Sequence, residues 1–183
     1  MTVPTKTGSQ HGEATARYTI QPRGPFSLAA SVVFLEGFTP AAYGGVPEGH
    51  IHLAFVVEGT GEVAGVCATQ GTSGVNIDVY GSANPAAVRE QTVRILSLDV
   101  DGAAFPEVGK RDLVIGPLQE RFPGFRPVLF FSPYEAAAWA LMGQRIQIVQ
   151  AAKIKARMAD GLGHEVDIHG DRRHTFPSPS RLG

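Results

Sequence analysis

Apolar residues set the first recognisable period along 26–38. Phe26, Ala30, Val33, Phe34 and Phe38 recur at helical spacing, introduced by Pro25 and Ser27 and closed by Gly37 and Pro40. The spacing predicts a helix with these residues along its apolar stripe. Just before it, Arg17-Tyr18-Thr19-Ile20 reads as a short strand, and residues 1–15, rich in Thr, Ser, Gly and Gln, read as a flexible lead. The period then changes. Residues 51–57, 62–68 and 75–80 are three β-prone runs, separated by Gly59-Thr60-Gly61 and Gly71-Thr72-Ser73-Gly74. Turns that short predict sequential antiparallel strands. Asn84-Pro85 opens a second helix to about residue 98, with Val88, Thr92 and Ile95 on one face.

From Asp99 onward the pattern is helical. One or two short helices are predicted over 106–122, ended by Pro123-Gly124. Ser132-Pro133-Tyr134-Glu135 is a strong helix start, with Ser132 as cap, Pro133 in the first turn and Glu135 completing a capping box. Gly143-Gln144-Arg145 interrupts the apolar run. A further helix is predicted over 146–159, with Gly161 and Gly163 as terminators. Residues 163–183 are polar and contain proline. The chain therefore divides into a lead (1–15), an N-terminal α+β domain (16–100) and a helical segment (101–183).

Composition narrows the class. Hydrophobic residues make up 43% and charged residues 18% of the 183 positions, as in folded soluble proteins. No apolar run is long enough to span a membrane, and the polar first twelve residues do not resemble a signal peptide. With the single Cys67, this favours a reducing, cytoplasmic setting with no membrane partner. Charge is unevenly placed. Residues 1–109 hold five Lys/Arg against ten Asp/Glu, whereas residues 110–183 hold eleven against seven. A basic half is what phosphate contacts require.

The run Ser132-Pro133-Tyr134-Glu135-Ala136-Ala137-Ala138-Trp139-Ala140-Leu141-Met142-Gly143-Gln144 resembles the entry to the helical domain of DNA-3-methyladenine glycosylases, in the helix-hairpin-helix superfamily. Ala151-Ala152-Lys153-Ile154-Lys155-Ala156-Arg157 resembles that family's next helix. Phe176-Pro177-Ser178-Pro179-Ser180-Arg181-Leu182 is similar to its Phe-Pro-Thr-Pro segment, and the stretch from Arg94 to Asp101 to its domain junction. The resemblance spans about residues 16–183. It implies an N-terminal antiparallel sheet with two helices, similar to half of a TATA-binding protein, followed by part of an all-α glycosylase domain.

What the resemblance implies for function is base-excision repair: hydrolysis of the N-glycosidic bond of alkylated purines, with no cofactor or metal. The partner is double-stranded DNA whose damaged base is extruded into a cleft between the two domains. Gln144 then falls at the boundary between DNA and pocket, and Arg145 where relatives insert a wedge. Phe34 falls where an aromatic ring meets the base, an arrangement suited to an electron-deficient purine. The family's hairpin and its catalytic aspartate match nothing in this sequence, so no Asp is assigned a catalytic role and the chain by itself is expected to be inactive. Exposed helix faces are expected to give limited stability or self-association. The alternatives are a non-enzymatic DNA- or protein-binding module, or an inactive remnant of a frame-shifted gene.

Other groups read more simply. His164, His169 and His174 lie five apart, a spacing that fits no regular face and argues against metal binding. His50 and His52 share one face of a strand and read as solvent-facing. Cys67, with apolar neighbours, reads as a buried small residue, and Trp139 as core packing.

Overall fold

The computed structural model describes residues 12–41 and 49–182. Most of the expected N-terminal lead therefore lies outside the described residues. Strands β1 (Ala16–Ile20), β2 (His50–Val56), β3 (Val63–Gly71) and β4 (Gly74–Tyr80) form one antiparallel sheet in the order β1-β4-β3-β2. Thr72-Ser73 links β3 to β4. Gly74 has φ +126°, and a Cβ there would stand 2.4 Å from the Ile20 carbonyl oxygen, so glycine is needed where β1 ends against the turn.

One face of the sheet is the main core. Ile51, Leu53 and Phe55 of β2, Ala64, Val66 and Ala68 of β3, and Val75, Ile77 and Val79 of β4 are all buried there. Two helices cover it, α1 (Leu28–Gly37) and α2 (Pro85–Ile95). Asn84 Oδ1 accepts from the Ala86 amide at 2.9 Å, and Val88, Thr92 and Ile95 are fully buried, as the α2 pattern predicted. The stripe expected on α1 is corrected. Leu28, Ser31 and Leu35 face the core, while Val33 is 69% exposed. Residues 28–35 are apolar or small on every side, so periodicity could locate this helix but not orient it.

The polypeptide then crosses through the short helices α3 (Phe105–Gly109) and α4 (Ile115–Arg121). It is pinned by Arg126, which is 6% exposed and donates to the carbonyls of Pro25, Ser97, Val100 and Arg23 at 2.6–3.0 Å. Helices α5 (Pro133–Met142) and α6 (Ile148–Leu162) follow. Ser132 Oγ caps α5 by accepting from the Glu135 amide, but the Glu135 side chain does not play the capping-box role expected of it. It is buried and pairs with Lys155 of α6 at 2.6 Å, and Lys155 also donates to the Pro40 carbonyl. Helix α6 runs through Gly161, so only Gly163 acts as its terminator.

The polar tail, in which no element was read from the sequence, is ordered. It forms a hairpin of β5 (Glu165–Ile168) and β6 (Asp171–His174) around His169-Gly170, both with positive φ. Two apolar residues in a four-residue strand give little periodicity, yet Val166 and Ile168 are enough to seat the hairpin. They join Ala54, Cys67 and Tyr80 in a second, smaller core on the outer face of the sheet. Gly65 makes the approach possible: a Cβ there would lie 2.7 Å from Val166 Cγ1 and 2.8 Å from Ile168 Cγ1. No helix among the described residues is long and apolar enough to cross a membrane.

Candidate nucleic-acid interface

An aromatic shelf begins on α1. The Phe34 and Phe38 rings stack with centroids 5.1 Å apart and 18° between planes. Phe125 tilts against Phe34 at 5.5 Å, and Phe130 stands edge-on to Phe38 at 6.3 Å. None of these rings is fully buried. Next to the shelf lies the Glu135–Lys155 pair, with the ammonium 5.9 Å from the Phe130 ring centre. The shelf therefore lies where α1 of the sheet domain meets α5 and α6. Partly exposed π faces there can stack a planar, electron-poor ring.

Gln144 and Arg145 lie at the break between α5 and α6, and both are exposed. Arg145 has φ +60°, a left-handed conformation that costs an L-residue energy and that Gly adopts freely. Lys153 and Arg157 on α6 are exposed as well. None of these three cations is in an ion pair among the described residues. Phe34 is separate from this break, its ring partners being Phe38 and Phe125. Trp139 is half-buried.

A second cluster escaped the sequence reading. His52 is 2% exposed rather than solvent-facing. Its Nδ1 lies 2.7 Å from Asp171 Oδ2, and its Nε2 lies 3.0 Å from His169 Nε2. Burial holds the His52 imidazole below its ordinary pKa. Burial alone would raise the Asp171 carboxyl, but the His52 and Arg173 hydrogen bonds outweigh it and leave the group below the usual range. Cys67 Sγ lies 3.5 Å from His50 Nδ1, and burial pushes the thiol up to about 11. His164 and His174 are elsewhere, beside Arg181 and Asp160. The missed signal was the His-x-His pair on β2, with Cys67 directly opposite His52 on β3.

No family model matches the chain. Over 98 residues it is 26% identical to a DNA-3-methyladenine glycosylase of Bacillus subtilis strain 168, an alignment covering 51% of this chain and 32% of that protein. It shares the fold of the 3-methyladenine DNA glycosylase from Archaeoglobus fulgidus, with a TM-score of 0.72 at 23% identity over 92% of this chain and 57% of that one. It also shares the fold of MBOgg1, solved in complex with a low-affinity DNA ligand, with a TM-score of 0.58 at 17% identity over 91% and 53%. The chain thus spans about a third to somewhat over half of the proteins it matches. The resemblance read from the sequence is met in both sequence and fold, including the α+β architecture.

Proposed function

We propose that this chain supplies the sheet domain and first catalytic-domain helices of a DNA glycosylase that excises alkylated purines from duplex DNA. The aromatic shelf carries the reading. It lies at the junction of sheet domain and helices, where an extruded base would be received, and a positively charged alkylated purine gains most from stacking on such rings. Phe34 and Phe38 form the stacking surface, and Gln144 meets the DNA at the α5–α6 break through its amide donors and acceptor. Arg145, presented by a left-handed backbone, fills or borders the gap that the base leaves. Lys153 and Arg157 hold the phosphates.

The test is binding of the full chain to duplexes with one alkylated purine and to the same duplexes undamaged, with abasic-site formation read separately. Tighter binding to the lesion, weakened by Phe34→Ala and by Gln144→Ala, is the expected result. Equal affinity for damaged and undamaged duplex, unchanged in both variants, overturns the assignment. Lesion binding without base release would instead favour a recognition module over an enzyme.

A further inference from the structure

We propose that His50, His52, Cys67 and His169 form a site for one divalent transition-metal ion of the zinc class, clamping the β5–β6 hairpin onto the outer face of the sheet. Each residue offers one ligand atom, and the four atoms all lie within 4.8 Å of one another. Four-coordinate zinc with about 2.0–2.1 Å bonds to nitrogen and 2.3 Å to sulfur needs ligand atoms about 3.3–3.6 Å apart. The Cys67–His50 separation of 3.5 Å already meets that spacing, and the 3.0 Å between His52 and His169 falls short of it by a few tenths of an ångström. Closing the remaining distances takes movements of about an ångström, mostly available to half-buried His50 and exposed His169.

Backbone and surroundings support the same reading. Strand geometry puts His50 and His52 on one face, and the β2–β3 register puts Cys67 beside His52, so three donors are set before the hairpin arrives. Asp171 fixes the His52 ring through Nδ1 and is itself held by Arg173 at 2.7 Å. Nε2 is then the atom directed at the other donors, the carboxylate–histidine arrangement that orients metal-bound imidazoles. His169 stands at the first of two positive-φ positions, at 39°, in a two-residue hairpin turn where Asn or Gly is favoured. A histidine there gains nothing for the turn, but it places an imidazole over the other three donors. Three nitrogens and a thiolate suit zinc or cobalt rather than calcium or magnesium. The site lies on the opposite side of the sheet from α1.

The experiment uses the untagged full chain, stripped of metal and titrated with cobalt(II), then with zinc(II) against a chromophoric chelator. One equivalent should bind, with a near-ultraviolet thiolate-to-cobalt band and a rise in Tm on loading. Cys67→Ser should lose the band. His169→Asn suits the turn and should keep or raise the metal-free Tm while weakening zinc more than about 100-fold, and Asp171→Asn should weaken it about 10–100-fold. His174→Ala should leave binding unchanged. No thiolate band, or zinc affinity equal in the parent chain, Cys67→Ser and His169→Asn, overturns the proposal. So does a chain that binds no zinc but loses metal-free Tm in His169→Asn, which would make the cluster a hydrogen-bonded network only.

Discussion

Single side chains decide how the two halves of the molecule are joined, and the most consequential are charged and buried. Arg126 donates to four backbone carbonyls from two separate segments, 23–25 and 97–100. Arg126→Ala would leave those part-buried acceptors without their donor, at about 1–3 kcal/mol for a group left unsatisfied and more for several. We expect a loss of at least about 3 kcal/mol by denaturant titration, and Arg126→Lys should recover only part of it, since one ammonium cannot span the fork. A loss under 1 kcal/mol would show that water replaces the guanidinium. Glu135 and Lys155 follow another logic. Removing either alone strands a buried charge and should cost about 3–5 kcal/mol, whereas replacing both by methionine should be close to neutral. A double-mutant cycle reads this directly, and additive losses would rule out coupling. Neither pairing was legible in the sequence. An arginine and a glutamate look the same in a pattern whether they face water or the interior, and Glu135 sat where a capping role explained it fully.

Elements were legible in proportion to how much of their stability is local. The Asn84-Pro85 start of α2 carries its own cap, so the helix, its beginning and its buried face all followed from the sequence. Asn84→Ala should cost about 1 kcal/mol, within the 0.5–2 kcal/mol range of caps, and should shorten α2 at its N-terminus by circular dichroism. The strands and their tight turns were equally readable. The phase of α1 was not, because its hydrophobicity is spread around the helix and only contact with the sheet selects a side. The hairpin was missed for the complementary reason: its stability comes from Gly65 and the second small core, both distant in sequence. Helix α6 shows how charge is read at this scale. Its buried side carries Ala151, Ala152 and Lys155, while Lys153 and Arg157 face outward. If both contact phosphates, Lys153→Gln and Arg157→Gln should each lower the slope of log affinity against log salt by about one, for damaged and undamaged duplex alike. A slope unchanged in both variants would move the phosphate contacts elsewhere.

At the scale of the whole molecule, the sheet domain is covered on both faces, while the helical segment is not. Leu113 is 96% exposed, Leu141 71% and Val114 67%, and Ile148 and Val149 on α6 are about half exposed. Side chains of this size contribute about 1.5–3 kcal/mol each when fully buried, a gain that those left in water do not make. The cheapest cover available to the isolated chain in solution is a second copy. Sedimentation velocity should therefore show a weight-average mass that rises above one chain with concentration. Leu113→Glu with Leu141→Glu should return it to the monomer and leave the far-ultraviolet dichroism unchanged. Neither residue belongs to the histidine cluster, so zinc uptake should survive in the double variant. A mass of one chain across the whole concentration range, with a cooperative melt, would mean that the exposed faces are tolerated as they stand.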